Sequence, residues 1–131
     1  MVEILFGIFV LAMDLLIPGA MIGFGKEFQK NPPTEIDPGY GYRTSRSMKN
    51  KLTWDFAQKY MGRAWYKAGR WLLIPSVLPL LLVLGQDVGT VGAAGLAVIG
   101  VQLVVMLGSI GVTEHALRKT FDKNGKKIET D

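Results

Sequence analysis

Three long apolar runs alternate with polar segments along this chain, and their lengths decide the class of structure. The first run extends from Ile4 to Phe24 and carries a single charge, at Asp14. The third covers about residues 89–113, whereas the second, residues 71–84, is markedly shorter. A helix rises about 1.5 Å per residue and the hydrocarbon layer is about 30 Å thick, so the first and third runs can span it. The pattern predicts an all-α membrane protein.

The second run needs the residues before it in order to cross the membrane. We expect one helix over about residues 64–85, in which Lys67 and Arg70 extend their charged ends towards the headgroups. Pro75 and Pro79 lie inside this helix, and each removes one backbone donor, which frees the carbonyl four residues earlier. The prolines therefore either kink the helix or offer carbonyls to a ligand inside the bundle.

Small residues in the first and third spans predict close packing between helices. Gly19 and Gly23 are four residues apart in the first span. The third span has a longer set of small residues on nearly one face: Gly89, Gly92, Ala93, Ala97 and Gly100. Such residues let helix backbones approach one another within a membrane, where the hydrophobic effect does not drive helix association.

Residues 25–63 form a polar loop that ends in an amphipathic helix. Turn residues at 31–33 and 37–39 exclude a continuous helix through the loop. A helix should begin near Ser47 or Asn50, because either side chain can accept from an unpaired N–H of the first turn. Its apolar positions recur at helical spacing: Trp54, Ala57, Met61, Ala64, Trp65, Ala68 and Leu72. We expect this helix to lie in the membrane plane with its tryptophans towards the hydrocarbon, the alternative being a solvated helix.

The distribution of charge predicts the orientation. Ten of the fifteen Lys and Arg residues lie between Lys26 and Arg70, where only four acids oppose them, and the other five follow the third span. By the positive-inside rule, the loop and the tail of residues 114–131 are cytoplasmic and the N-terminus is outside, in a multi-pass protein of a bacterial cell membrane. The expected partner is a bilayer with anionic headgroups, and no nucleic acid is expected.

The sequence offers little catalytic chemistry. It contains no cysteine, and the single histidine, His115, cannot build a zinc site without several carboxylates beside it. It also lacks a Gly-x-Ser-x-Gly segment and paired histidines. We therefore expect neither enzymatic activity nor a metal or other cofactor.

Two polar residues are predicted to lie at the same depth inside the membrane. Asp14 is about 16 Å from the outer end of the first span, and Gln102 is at a similar depth in the third. An ionised carboxylate is costly there, so Asp14 should be neutral at pH 7. It should donate to Gln102 or to a carbonyl freed by Pro75 or Pro79. Its role is either functional or that of a structural hydrogen bond.

A set of residues in the polar segment resembles the signature of the SdpI family of small bacterial membrane proteins. The set is Gly41-Tyr42-Arg43-Thr44, then Ser47, Asn50, Trp54, Ala57 and Gly62. Gln58 departs from the family pattern, which usually has Asn after this Ala, although an amide is retained on a longer arm. The chain looks like a short form, without the additional spans that precede the signature in longer members.

The resemblance implies immunity to a peptide toxin, or peptide sensing, at the cytoplasmic membrane. The candidate residues for binding a peptide toxin or another membrane protein are Tyr42, Arg43, Thr44, Ser47, Asn50, Trp54, Ala57 and Gln58. The planar donor fork of Arg43 suits a phosphate or carboxylate, and Trp54 should anchor the start of the helix. The alternative is a small accessory or structural subunit that packs onto a larger bacterial membrane complex through its glycine-lined faces.

Overall fold

A computed structural model describes residues 1–36 and 39–128. Within these residues the chain forms four α-helices, namely α1 (Val2–Asp14), α2 (Leu16–Lys30), α3 (Lys51–Leu82) and α4 (Val88–Thr120). α1 and α2 form one nearly continuous rod, because Leu15 between them keeps right-handed helical angles. The Leu15 N–H donates to the carbonyl of Leu11, and the Gly19 N–H donates to that of Leu15. The described part of the chain is therefore an all-helical bundle of three rods.

Two of these rods, among the residues described, are long and apolar enough to cross a membrane by length and composition. They are Val2–Lys30 with 29 residues and Val88–Thr120 with 33, each with a mean hydropathy of 2.2 in its most apolar stretch. Only 22% of each stretch is buried inside the protein. Such long uncovered apolar surfaces are typical of helices surrounded by lipid and are unusual for a core helix of a soluble protein.

α3 joins two elements that the sequence pattern separates. The predicted interfacial helix and the predicted span over residues 64–85 form one uninterrupted helix of 32 residues. Trp54, expected to face the hydrocarbon, is fully buried. Ala57 and Met61 belong to a core cluster with Phe28 of α2 and Leu117 of α4. The described structure therefore has no separate helix in the membrane plane between the spans, because protein covers the apolar face assigned to lipid.

The first rod extends beyond the predicted boundary at Phe24. It continues to Lys30 because Phe28 is buried and packs edge-on against Phe24 and Tyr40, at ring-centroid distances of 6.1 and 5.6 Å. The helix then ends before the predicted turn at residues 31–33. Asp37 and Pro38 of the second predicted turn lie outside the described residues.

Close packing between the rods uses other glycines than those predicted. A Cβ added at Gly25 of α2 would lie 2.5 Å from the Tyr66 nitrogen of α3, and one at Gly62 would lie 3.1 Å from the Gly25 carbonyl. Added Cβ atoms at Gly19 and Gly23, by contrast, would meet nothing within 4 Å. The prediction for Gly19 and Gly23 is wrong as regards contacts within this chain, because both face away from α3.

The third span likewise packs through a glycine outside the predicted set. A Cβ at Gly95 of α4 would lie 2.5 Å from Val10 of α1, whereas positions 92 and 100 are open. Beyond the third apolar run, α4 continues into the polar tail as far as Thr120. Residues 121–128 then fold back in a turn closed by hydrogen bonds from Asp122 N–H to the Lys126 carbonyl and from Ile128 N–H to that of Thr120, both 2.8 Å. These backbone hydrogen bonds hold the described part of the tail against the end of α4, and residues 129–131 lie outside the described residues.

Candidate functional site

The signature segment begins with a glycine that no other residue could replace without strain. Gly41 has φ +103°, in the region that residues with a Cβ rarely adopt. A Cβ there would lie 2.8 Å from Oε1 of Gln58 and 3.2 Å from Cη2 of Trp54. Gly41 thus lets the loop backbone lie directly against the buried side chains of α3.

Gln58 holds the next residue of the segment by two hydrogen bonds. Its Oε1 accepts from the Tyr42 N–H at 2.7 Å, and its Nε2 donates to the Tyr42 carbonyl at 2.8 Å. Gln58 is 0% exposed, so both backbone groups are paired without water. Gln58, the position that departs from the family pattern, therefore uses the full length of its side chain to reach the loop.

Thr44 and Ser47 close the loop on itself. The Thr44 N–H donates to Ser47 Oγ at 2.8 Å, and the Ser47 N–H donates to Thr44 Oγ1 at 3.2 Å. Ser47 is buried, and its hydroxyl also lies 3.2 Å from the Tyr42 carbonyl. This reciprocal pairing fixes the turn between Tyr42 and α3.

Asn50 caps α3, as the sequence predicts. Its Oδ1 accepts from the Thr53 N–H at 2.9 Å, while Thr53 Oγ1 accepts from the Asn50 N–H at 3.1 Å, which completes a capping box. The Asn50 amide also donates to the carbonyl of Gly125 at 2.8 Å. One side chain therefore joins the start of α3 to the turn that follows α4.

Trp54 and Ala57 lie beneath the loop and not at a binding surface. The indole Nε1 of Trp54 donates to the carbonyl of Pro33 at 2.8 Å. Both residues are 0% exposed. Within the described structure they support the loop, and a ligand could not contact them without displacing it.

Glu114 is a member of this site that the sequence reasoning missed. The Tyr42 hydroxyl donates to the Glu114 carboxylate at 2.6 Å and lies 3.3 Å from the Ile110 carbonyl. Burial raises the pKa of the Tyr42 phenol above its ordinary value, and the Glu114 carboxylate raises it further. Glu114 is the first charged residue after the third apolar run, but no local pattern indicates which tyrosine it meets.

Arg43 is exposed, unlike most of the other candidate residues. Tyr42, Ser47, Trp54, Ala57 and Gln58 are all buried. The loop therefore places Arg43 at the exposed surface, on a backbone fixed from beneath. Its planar donors suit a phosphate or a carboxylate.

The structure also brings Asp14 and Gln102 together, though not through the predicted bond. Gln102 Nε2 donates to the backbone carbonyl of Asp14 at 2.7 Å and to Ser76 Oγ at 2.8 Å. All three residues are at most 1% exposed. The carbonyl of Asp14 is available because residue 18, its usual helical partner, is Pro18 and has no N–H. The relevant freed carbonyl is thus the one released by Pro18, and not one released by Pro75 or Pro79.

Two acceptors in this buried cluster have no hydrogen-bond partner, namely Asp14 Oδ2 and Gln102 Oε1. Buried polar atoms are normally hydrogen-bonded. The donor that these two acceptors lack could be a proton on the carboxyl group or the N–H of a side-chain amide. Elsewhere, the residues described contain no group of three or more His, Cys, Asp or Glu side chains placed to hold a metal ion.

These features define a small helical membrane protein whose loop is closed by its own side chains at one end of the bundle. The sequence model of the SdpI/YfhL protein family matches residues 34–113, which is more than half of the chain. The chain therefore belongs to the SdpI/YfhL family and is a membrane protein of it. No curated protein and no solved structure matches the chain.

Proposed function

We propose that the protein crosses a bacterial cell membrane three times, with its N-terminus outside and its loop and tail in the cytoplasm. The rods of residues 2–30 and 88–120 and the apolar half of α3 are the spans. All fifteen Lys and Arg residues lie in the loop, in α2 and α3 near it, or in the tail. This asymmetry supports the orientation through the positive-inside rule.

The function that the site supports best is immunity to a membrane-active toxin peptide, or sensing of such a peptide. The observation that carries this proposal is the signature loop itself. Its residues fix one another by hydrogen bonds, and Arg43 is exposed on the resulting surface. A peptide that has entered the bilayer would reach this surface at the inner headgroups, where its carboxylates can meet the guanidinium.

We also propose that the protein acts by binding and not by catalysis, without a cofactor and without nucleic acid. In support, the polar side chains of the candidate site are engaged in capping, in turns and in clasping the backbone. The partner is accordingly a peptide toxin or another membrane protein, in addition to the anionic bilayer.

The test is protection of a sensitive bacterium. Cells that lack relatives of this protein would express the chain and be exposed to secreted membrane-active peptides, with growth and membrane potential as the readouts. We expect the chain to preserve the potential against at least one such peptide. Equal killing with and without the chain, at matched levels of inserted protein, would reject the immunity proposal.

An accessory subunit is the second candidate, and one observation favours it. Cβ atoms added at six glycines of α2 and α4 would meet nothing within 4 Å, so these faces are open to a helix from another protein: Gly19, Gly23, Gly92, Gly100, Gly108 and Gly111. Affinity purification in mild detergent from the native membrane distinguishes the candidates. A stoichiometric larger complex, combined with no protection from peptides, would favour the subunit.

The orientation has its own test because the chain contains no cysteine. Single cysteines at Glu3 and at Thr130, which lies outside the described residues, would be probed on whole cells with an impermeant thiol reagent. We expect labelling at position 3 only. Labelling of position 130 but not position 3 would reverse the proposed topology.

A further inference from the structure

Lys67 and Arg70 of α3 lie deeper in the bundle than the charged residues of α2 and α4. Tyr66 packs against Gly25, directly before Lys26, the first charged residue of α2. Arg70 is four residues further along α3, about 6 Å deeper into the apolar zone, and Lys67 lies between these levels. On the other side, Trp65 donates to Ser109, which is itself deeper than the first charge of α4. Lys67 and Arg70 are therefore at a depth where both neighbouring helices are still apolar.

These cations lie on an exposed face of α3. Arg63, Lys67 and Arg70 follow one another at spacings of four and three residues, and all three are exposed. The guanidinium of Arg63 lies over the ring of Tyr60 at 5.7 Å, and that of Arg70 lies over the ring of Tyr66 at 5.4 Å. Both arginines thus fold back along the helix towards the loop end, and the tyrosine rings restrict their positions.

The same face is concave at the cations and apolar below them. A cavity of about 480 Å³ is lined mainly by α3, including Tyr60, Arg63, Lys67 and Arg70, and also by Gln29 of α2 and Val112 of α4. A second, of about 350 Å³, shares Lys67 and Arg70 with the first and continues to Trp71 and Ile74. Trp71 is 76% exposed and Ile74 is 68% exposed. A continuous surface therefore leads from three cations to apolar side chains.

No acidic side chain of the described ranges pairs with these cations. Between residues of the described ranges, the ion pairs are the N-terminus with Glu3 and Lys51 with Asp55, and neither involves this face. Cations next to hydrocarbon are unfavourable unless an anion or water meets them. Because no described acid pairs with them, an anion from the membrane can meet these cations at the boundary between headgroups and acyl chains.

We propose that the outer face of α3 binds one anionic phospholipid, with its phosphate among Arg63, Lys67 and Arg70 and its acyl chains along Trp71 and Ile74. A free phosphate would match the cations but would leave the apolar half of the surface unused. A lipid can meet both the cations and the apolar side chains. Its phosphate is drawn towards α3 because the apolar segment of α3 is shorter than those of the other rods. The site rests on the proposed three-span topology but not on the proposed immunity.

The test uses quenching of tryptophan fluorescence by brominated lipids. The purified protein would be reconstituted in phosphatidylcholine vesicles with a low, equal fraction of dibrominated phosphatidylglycerol or dibrominated phosphatidylcholine. Trp71→Phe identifies the signal of the exposed tryptophan. We expect brominated phosphatidylglycerol to quench Trp71 preferentially, and the combined variant Arg63→Gln, Lys67→Gln, Arg70→Gln to lower that preference by about fivefold or more.

The matched control removes the same charge from the same end of the bundle, through Arg118→Gln, Lys119→Gln and Lys123→Gln. The preference of Trp71 for quenching by brominated phosphatidylglycerol should persist in this control. It should be reduced in Arg70→Gln alone, a variant that keeps the other charges that set the topology. The site is rejected if both triple variants lose the preference equally, or if the α3 variant keeps it. Displacement of the brominated lipid by soluble glycerol phosphate would assign the cations to a free phosphate instead.

Failure of the underlying topology gives a different result. If α3 does not cross the bilayer, neither brominated lipid quenches Trp71, whatever the charges. A negative protection assay leaves the quenching unchanged, so the lipid site and the immunity function fail separately.

Discussion

The side-chain amide of Gln58 is paired with both backbone groups of Tyr42, sixteen positions earlier in the chain. This clasp fixes the signature loop to α3 in a region from which water is excluded. A buried hydrogen bond adds only modestly to the free energy of unfolding when it is made, but leaving one of its partners unpaired is costly. The clasp therefore matters most through what its loss would leave unpaired.

Gln58→Ala should therefore destabilise the protein by about 3 kcal/mol, since it leaves the N–H and the carbonyl of Tyr42 unpaired and opens a cavity. Thermal unfolding in detergent measures the effect. Gln58→Asn should lie between parent and Ala, because its arm is one methylene shorter. The control is Gln86→Ala in the exposed turn before α4, which should change little, and an equal effect at both positions would contradict the role of the clasp.

Tyr42→Phe tests the link between the loop and α4. Loss of the bond to the Glu114 carboxylate should cost about 1.5–3 kcal/mol. The variant should also change the response to alkali. Because the folded pKa of Tyr42 is raised above its ordinary value of about 10, the stability that its proton provides is complete below that pH and falls as the pH rises further.

Alkaline unfolding curves measure this effect, together with the phenolate absorbance. The parent should lose stability above about pH 10 more steeply than Tyr42→Phe. Tyr40→Phe is the matched control, since Tyr40 is 44% exposed. Identical alkaline slopes for the parent and Tyr42→Phe would show that the phenol does not contribute to folding.

Gly25→Ala should weaken the contact between α2 and α3. The new Cβ would meet the backbone of Tyr66, which cannot move as a flexible side chain could, so we expect a loss of at least about 1–3 kcal/mol. Gly23→Ala, two positions away in the same helix, adds its methyl group to open space. A lower thermal midpoint for position 25 alone is the expected outcome, and similar midpoints for both variants would contradict the packing described.

Asp14→Asn tests the buried cluster of Asp14, Ser76 and Gln102. The variant replaces an unpaired acceptor with an amide donor, so we expect a stability equal to or above that of the parent and no change in insertion. If protection from the peptide is also unchanged, no proton or charge at this position is used. Gln102→Leu is the companion variant, and its loss of the bonds to Asp14 and Ser76 should loosen the contacts among α1, α3 and α4, as seen in faster hydrogen exchange.

Arg43→Lys keeps the charge of the loop but loses the planar fork. If Arg43 binds a carboxylate or phosphate of the partner, protection should be abolished while insertion and thermal midpoint stay at parental values. Arg46→Lys is the control in the same loop. Full protection by Arg43→Lys would remove this guanidinium from the site and leave it as one of the charges that set topology.

Much of the fold follows from the sequence because local rules decide it. The length of the apolar runs predicts two of the three rods, and the capping chemistry of Asn50 fixes the start of α3. Counting residues from the ends of the spans predicts that Asp14 and Gln102 can meet, and in the structure the Gln102 amide donates to the Asp14 carbonyl. These inferences need only the rise of a helix, the thickness of a bilayer and the bonding of one side chain to its own backbone.

Tertiary structure decided what covers each face. Periodicity shows that the first turns of α3 have an apolar side. Because lipid and protein are equally apolar, it did not predict that the loop covers Trp54 and that residues of α2 and α4 pack on Ala57. For the same reason the sequence does not separate Gly25, which packs, from Gly23, which is open. The bonds from Tyr42 to Gln58 and Glu114 join distant segments of the chain, and only the assembled bundle brings those atoms within hydrogen-bonding distance.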